Sequence, residues 1–167
     1  LHRASGKPVV VLAVILQHSP LVLLARGGGV KSVHDLAGKR IMLLPQETEL
    51  YAYLQREGLS RDRITEVPHS FASDDLVKGR VEALSGYSTD EPFALKSLGF
   101  AYSIFSPRSS GIDFYGDTLF TSRQVIERNP QRVAAFREAS LRGWQYAMDH
   151  PEEIADLIVA RYGKRHS

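Results

Sequence analysis

Between Arg40 and Pro107 the chain alternates short aliphatic runs with capped helical segments, and this alternation limits the folds open to it more than any other feature. "RIMLL" (40–44) reads as a strand, and a helix follows from about Glu49 to Glu57, stopped by Gly58. "ITEVP" (64–68) is a second strand, followed by "HSFAS" and a short helix "DDLVKG" with Ser73 as its expected N-cap. "VEALSGY" (81–87) and "AYSIFSP" (101–107) are further strands, with "STDEPFALKSLG" as the helix between them. Strand–helix–strand spacing of this kind implies right-handed βαβ units and an α/β fold with a parallel, doubly wound sheet.

The flanks are less regular. Val9–Leu16 and Leu21–Ala25 read as buried strands separated by "QHSP", or as one strand bent at Pro20. "RGGG" (26–29) is a turn and lacks the lysine and serine of a phosphate-binding loop. In "SVHDLAG", Ser32 caps a one-turn helix, Asp35 completes a capping box and Gly38 ends it. After "GIDFYGDTLFTS", two helices start at Asn129-Pro130 and His150-Pro151. Val133, Phe136, Ser140, Trp144 and Met148 share one face of the first, and Trp144 is expected in a core.

Composition excludes several function classes. The net charge of +2, from 21 basic and 19 acidic residues, gives no reason to expect a nucleic-acid or membrane partner. No two of the six histidines have metal-site spacing, and without cysteine there is no disulfide and no thiolate chemistry. No cofactor is expected. The apolar run Val9–Leu16 is too short to span a membrane and lacks a leader's cleavage pattern. His18 and Ser19 are adjacent, so in a strand they point apart and form no simple nucleophile–base pair. There is no G-x-S-x-G elbow either, and a non-enzymatic role is expected.

In an open parallel sheet, ligands bind beyond the carboxyl ends of the strands. Three loops lie there: "PQET" (45–48), "HSFAS" (69–73) and "GYSTDEP" (86–92), each leading into a helix whose N–H groups face the crevice. They offer Gln46, Thr48, His69, Ser70, Tyr87, Ser88, Thr89, Asp90 and Glu91, a set rich in hydrogen-bonding groups and poor in cations. Such a set suits a small polar or heteroaromatic ligand better than a phosphate. Thr48, Ser73 and Thr89 serve equally well as helix caps, and Asp90 and Glu91 suit a helix dipole without any ligand. Tyr87 is harder to assign to local structure alone.

Three stretches carry a resemblance: "SPLVLLA…VKSVHDLAGKRIML", "LVKGRVEALSGYSTDEPFALKSLG" and the run from "IDFYGDTLFTS" through "GWQYAMDHPEE". Together they resemble the SsuA/THI5-like (NMT1/THI5-like) periplasmic solute-binding domain from about Val9 to Ser167. "FYGDTLFTS" and "GWQYAMDHPEE" are most similar to the version that serves as a sensor ahead of histidine kinases or diguanylate cyclases.

The resemblance implies a type II periplasmic-binding-protein fold that closes on a small molecule, such as a thiamine-precursor pyrimidine or a sulfonate. "DLAGKR" resembles the family's passage into its second lobe. Residues 1–39 and 108–167 would form a partial first lobe with C-terminal helices, and residues 40–107 a βαβαβαβ second lobe. The first lobe would be incomplete, because the family's upstream strands and helices have no counterpart in this sequence. Glu91 would accept ligand N–H groups beside Tyr87, and Tyr115 and Asp117 would lie near the hinge. Gln17, His18 and Ser19 would end a strand at the crevice edge.

A periplasmic sensor feeding a membrane-anchored kinase or cyclase module is the leading expectation from the resemblance. The alternatives are an ABC-transporter binding protein working with a permease, and an enzyme of pyrimidine metabolism. A homodimer through exposed apolar edges is a further expectation.

Overall fold

The computed structural model describes residues 5–163. In chain order the first half forms β1 (Val9–Val14), β2 (Leu21–Arg26), β3 (Arg40–Met42), α1 (Thr48–Arg56), β4 (Thr65–Val67) and α2 (Asp74–Val77). Then follow β5 (Ala83–Tyr87), α3 (Glu91–Ser97), β6 (Tyr102–Phe105), β7 (Thr118–Ser122), α4 (Arg123–Arg128), α5 (Pro130–Asp149) and α6 (Pro151–Tyr162). One-turn 3-10 helices occupy Val33–Leu36, Arg61–Arg63 and Pro107–Ser110. These elements group into two compact units, Ile15–Asp117 and Leu1–Val14 with Thr118–Ser167.

The Ile15–Asp117 unit is built on a five-stranded sheet in the order β4-β3-β5-β2-β6. β3 pairs in parallel with β4 and β5, as the βαβ alternation predicts. β2 pairs antiparallel with both β5 and β6, so four strands run one way and β2 runs against them. The wholly parallel sheet expected from the sequence is therefore mixed.

The reason lies in where the chain enters the unit. The Ser19 N–H donates to the Phe114 carbonyl at 2.8 Å, and Leu21 pairs opposite Tyr87, the last residue of β5. A strand that starts at the edge where β5 ends must run away from it. β2 belongs to the sheet of residues 40–105, and this compact unit begins at Ile15.

Both faces of this sheet are covered. Along β2, Leu23 and Ala25 pack with Val33, Leu36, Leu50, Tyr53 and Leu54 on one side, while Val22 and Leu24 pack with Leu76, Val81 and Leu95 on the other. Alternating residues are therefore buried on both faces, which is why β2 reads as a continuous aliphatic run. Leu50, Tyr53 and Leu54 recur at helical spacing and seat α1. The capping box at Val33–Leu36 forms as expected: Ser32 Oγ accepts from the His34 N–H at 3.2 Å and Asp35 Oδ2 from the Ser32 N–H at 2.9 Å.

The second unit pairs β1 with β7 antiparallel, Val9 opposite Ser122 and Val14 opposite Thr118, and carries α4, α5 and α6. None of its described residues is buried. Trp144, expected in a core, is 49% exposed, and Phe136 on the same face is 60% exposed. A two-stranded ribbon has too little surface to cover a 20-residue helix. Among the described residues no helix is long and apolar enough to cross a membrane. Residues 164–167 lie outside the described residues.

Candidate functional site

At the edge where β3, β4 and β5 end and β2 begins, the Ile15–Asp117 unit carries two adjoining concavities, of about 300 and 240 Å³. They share four residues: Leu21, Leu44, Glu47 and Tyr87. The larger is further lined by Ser19, Gln46, Thr48, Glu49, Phe114, Tyr115 and Asp117, and the smaller by His69, Phe71, Asp90 and Glu91.

Glu47 sits at the shared rim. Its Oε2 accepts from the Leu44 N–H at 2.8 Å and its Oε1 from the Ser85 hydroxyl at 2.9 Å. The carboxylate is thus fixed from the loop after β3 and from the middle of β5. Glu91 is fixed similarly: its Oε2 accepts from the Tyr87 N–H at 2.6 Å. That approach requires Gly86, because a Cβ there would lie 2.6 Å from Glu91 Oε2. Glu49, only 6% exposed, opens the first turn of α1. Burial pushes its pKa up, with a smaller push from the Asp113 charge, while the Ser19 hydroxyl pulls it back. Burial likewise raises the Tyr87 phenol, reinforced by the charges of Asp117, Glu47 and Glu91.

The resulting chemistry is one-sided. Carboxylates from Glu47, Glu49 and Asp117 line the larger concavity, those of Glu47, Asp90 and Glu91 line the smaller, and no Lys or Arg lines either. Leu21 and Leu44 with Tyr87 supply an apolar floor. Such a surface accepts hydrogen bonds from N–H groups and rests flat apolar rings.

The candidate residues from the sequence divide in two. Ser19, Thr48, Tyr87, Tyr115 and Asp117 come together around the larger concavity, and Tyr87 and Glu91 around the smaller. Gln46 lines the first, and His69 and Asp90 the second. Gln17, His18, Ser88 and Thr89 line neither.

His18 is engaged elsewhere: Arg108 Nη2 donates to its Nε2 at 3.3 Å, so its Nδ1 carries the proton and donates to Asp113 at 2.8 Å. The Ser88 N–H donates to the Pro20 carbonyl at 2.8 Å, and its side chain is exposed. Ser70 donates its hydroxyl to Asp75 at 2.6 Å. Neither Thr48 nor Ser73 makes the capping bond open to it: Glu47 occupies the N-cap of α1, and Ser73 caps α2 without a side-chain bond.

Sequence reasoning missed Glu47, Glu49, Phe71 and Phe114. Glu49 reads as an ordinary acid of a first helical turn, and only the sheet's register brings Glu47 against Ser85.

Two sequence relatives share this stretch. The riboflavin-binding protein RibY of Chloroflexus aurantiacus is 29% identical over 171 aligned residues, covering 95% of this chain and 47% of that protein. The formylaminopyrimidine-binding protein of Halalkalibacterium halodurans is 26% identical over 167, covering 95% and 50%. The chain thus spans about half the length of the curated relatives it matches.

Among solved structures, the periplasmic aliphatic sulphonate binding protein SsuA from Escherichia coli superposes with a TM-score of 0.69 at 18% identity, covering 97% of this chain and 57% of that one. The putative sulfonate ABC transporter's periplasmic sulfonate-binding protein SsuA from Methylobacillus flagellatus gives 0.69 at 21%, covering 96% and 49%. These likenesses establish the α/β fold of periplasmic binding proteins. Residues 1–154 match the pattern described as NMT1/THI5 like, and the chain belongs to that family.

Proposed function

We propose that this chain is part of an extracytoplasmic binding protein that takes a small N–H-donating heteroaromatic ligand at the edge of the five-stranded sheet and delivers it to an ABC permease. The observation carrying this reading is the pair of concavities meeting at Glu47 and Tyr87, lined by carboxylates and by no Lys or Arg. An aminopyrimidine or a flavin offers ring N–H groups to those acceptors and a flat face to Tyr87 and Leu21. A sulfonate would bring a second negative charge against them. At about 4 Å, with the effective dielectric of a protein surface, each such pair costs about 4 kcal/mol.

The names of both sequence relatives point the same way, since each is said to bind a nitrogen heterocycle. The transport role is preferred to the sensor expected from "GWQYAMDHPEE", because the Methylobacillus flagellatus SsuA neighbour is named as part of a sulfonate ABC transporter and none of the relatives above is named as a kinase or cyclase.

Calorimetry against riboflavin, a formylaminopyrimidine and ethanesulfonate tests this reading. The heterocycles should bind and the sulfonate should not, and Glu47→Gln or Glu91→Gln should weaken binding about tenfold or more. Preference for the sulfonate, or unchanged affinity in both variants, would overturn it.

A further inference from the structure

Phe71 stands out in the smaller concavity. It is the one non-glycine residue among the described residues with a left-handed backbone, at φ 60°, and it is 77% exposed. That region is disfavoured for a bulky side chain, and an apolar ring left in water gains nothing from burial. The position therefore costs backbone stability while leaving most of the ring in solvent.

The conformation is nevertheless imposed from two sides. The Phe71 N–H donates to His69 Nδ1 at 3.0 Å, so the second ring nitrogen, Nε2, carries the proton and donates to the Ser85 carbonyl at 2.9 Å. His69 thus bridges the loop to the middle of β5, with its ring 4.9 Å from the Phe71 ring. On the other side, Ser70 Oγ accepts from the Ala72 N–H at 3.2 Å while donating to Asp75. Phe93 makes the contrast: it is equally exposed, but on α3 with ordinary helical backbone, and it lines neither of the two adjoining concavities. Strain of the Phe71 kind persists where the surroundings over-determine it, and it collects at ligand clamps.

We propose that Phe71 is a ligand-contact residue, a ring platform held against the concavity by His69 so that a flat aromatic ligand lies on it while its N–H groups face Glu47 and Glu91. This rests on the heteroaromatic reading above and deepens it: the ligand must be aromatic and planar as well as rich in N–H groups. His69 acts as the positioning residue.

Riboflavin is a suitable probe for the full chain, because it is planar and aromatic and its affinity can be read by calorimetry. Phe71→Asn keeps a residue that tolerates the left-handed backbone and removes the ring. It should weaken riboflavin about tenfold, with a melting temperature unchanged or raised. Phe71→Tyr, which keeps a ring, should bind as the wild type does. His69→Ala should weaken binding, and the double variant His69→Ala with Phe71→Asn should bind as Phe71→Asn alone does.

If the wild type binds and Phe71→Asn binds equally well, the platform is overturned and the heteroaromatic reading stands. A lowered melting temperature in Phe71→Asn, with no rescue by Phe71→Tyr, would make the residue structural and also overturn it. If the wild type binds neither riboflavin nor a formylaminopyrimidine, both readings fall.

Discussion

The two units use the same kinds of residue to opposite effect. Ile15–Asp117 holds all of the buried hydrophobic side chains among the described residues, with Leu23, Leu24, Leu36 and Leu50 wholly inaccessible. In the other unit, α5 and α6 carry comparably apolar faces, yet Phe136, Trp144, Met148, Ile158 and Val159 are each between 49% and 74% exposed. The difference is the sheet. Five strands present two broad faces for helices to cover, whereas the β1–β7 ribbon presents little. An apolar stripe states which face seeks cover and says nothing about whether cover is there.

Hydrogen exchange should expose this contrast most strongly. Amides of β2, β3 and β5 should exchange on the order of a thousandfold more slowly than those of α5 and α6, because only the former open with the unit's core. Comparable protection in both would break the comparison. Next in size, Leu24→Ala should cost about 2–5 kcal/mol in urea unfolding, against under about 1 kcal/mol for Phe136→Ala, since only the first opens a cavity.

Gly86→Ala should cost roughly 1–3 kcal/mol by overpacking against the Glu91 carboxylate, and weaken ligand binding along with it.

Acid titration sharpens the picture within the folded unit. The Ser70 hydroxyl, and then the Arg80 guanidinium, hold the Asp75 pKa below 3.8. Its carboxylate therefore stabilises the fold above 3.8 and loses that contribution as the pH falls through the lower folded value. Glu49 has the opposite sign. Burial raises its pKa above 4.5, so the charged form opposes folding at neutral pH and the opposition fades as the pH drops toward 4.5. Thermal melts should show Glu49→Gln stabilised at pH 7 with the gain gone below 4.5, and Asp75→Asn destabilised at pH 7 with the loss shrinking in acid. The smallest effect belongs to the exposed pair Arg142–Glu138 on α5, where Glu138→Gln should change stability by less than about 0.5 kcal/mol.

What could be read in advance follows the same division. The βα alternation from Arg40 to Phe105 and the capping box at Ser32 were legible because short-range periodicity and cap chemistry specify them. Strand direction was not, because β2 has the same aliphatic pattern whichever way it runs. Tyr87 and Thr48 were legible as site candidates from their place at strand ends. Glu47 was not, because its partners, Leu44 and Ser85, include one 38 residues away. Phe71 carries no sequence signal at all: a phenylalanine in a left-handed turn follows only from the His69 bridge to β5. The bond between His18 and Asp113, 95 positions along, likewise has no local signal.

The central claim is that the acceptor-lined edge of the five-stranded sheet is where ligand binds. Amide chemical-shift mapping during titration with a formylaminopyrimidine tests it directly. The account predicts saturable shifts concentrated at Glu47, Tyr87, Glu91 and the 69–73 loop. Shifts confined to residues 118–163, or a set at the sheet edge that ethanesulfonate reproduces at lower concentration, would contradict it.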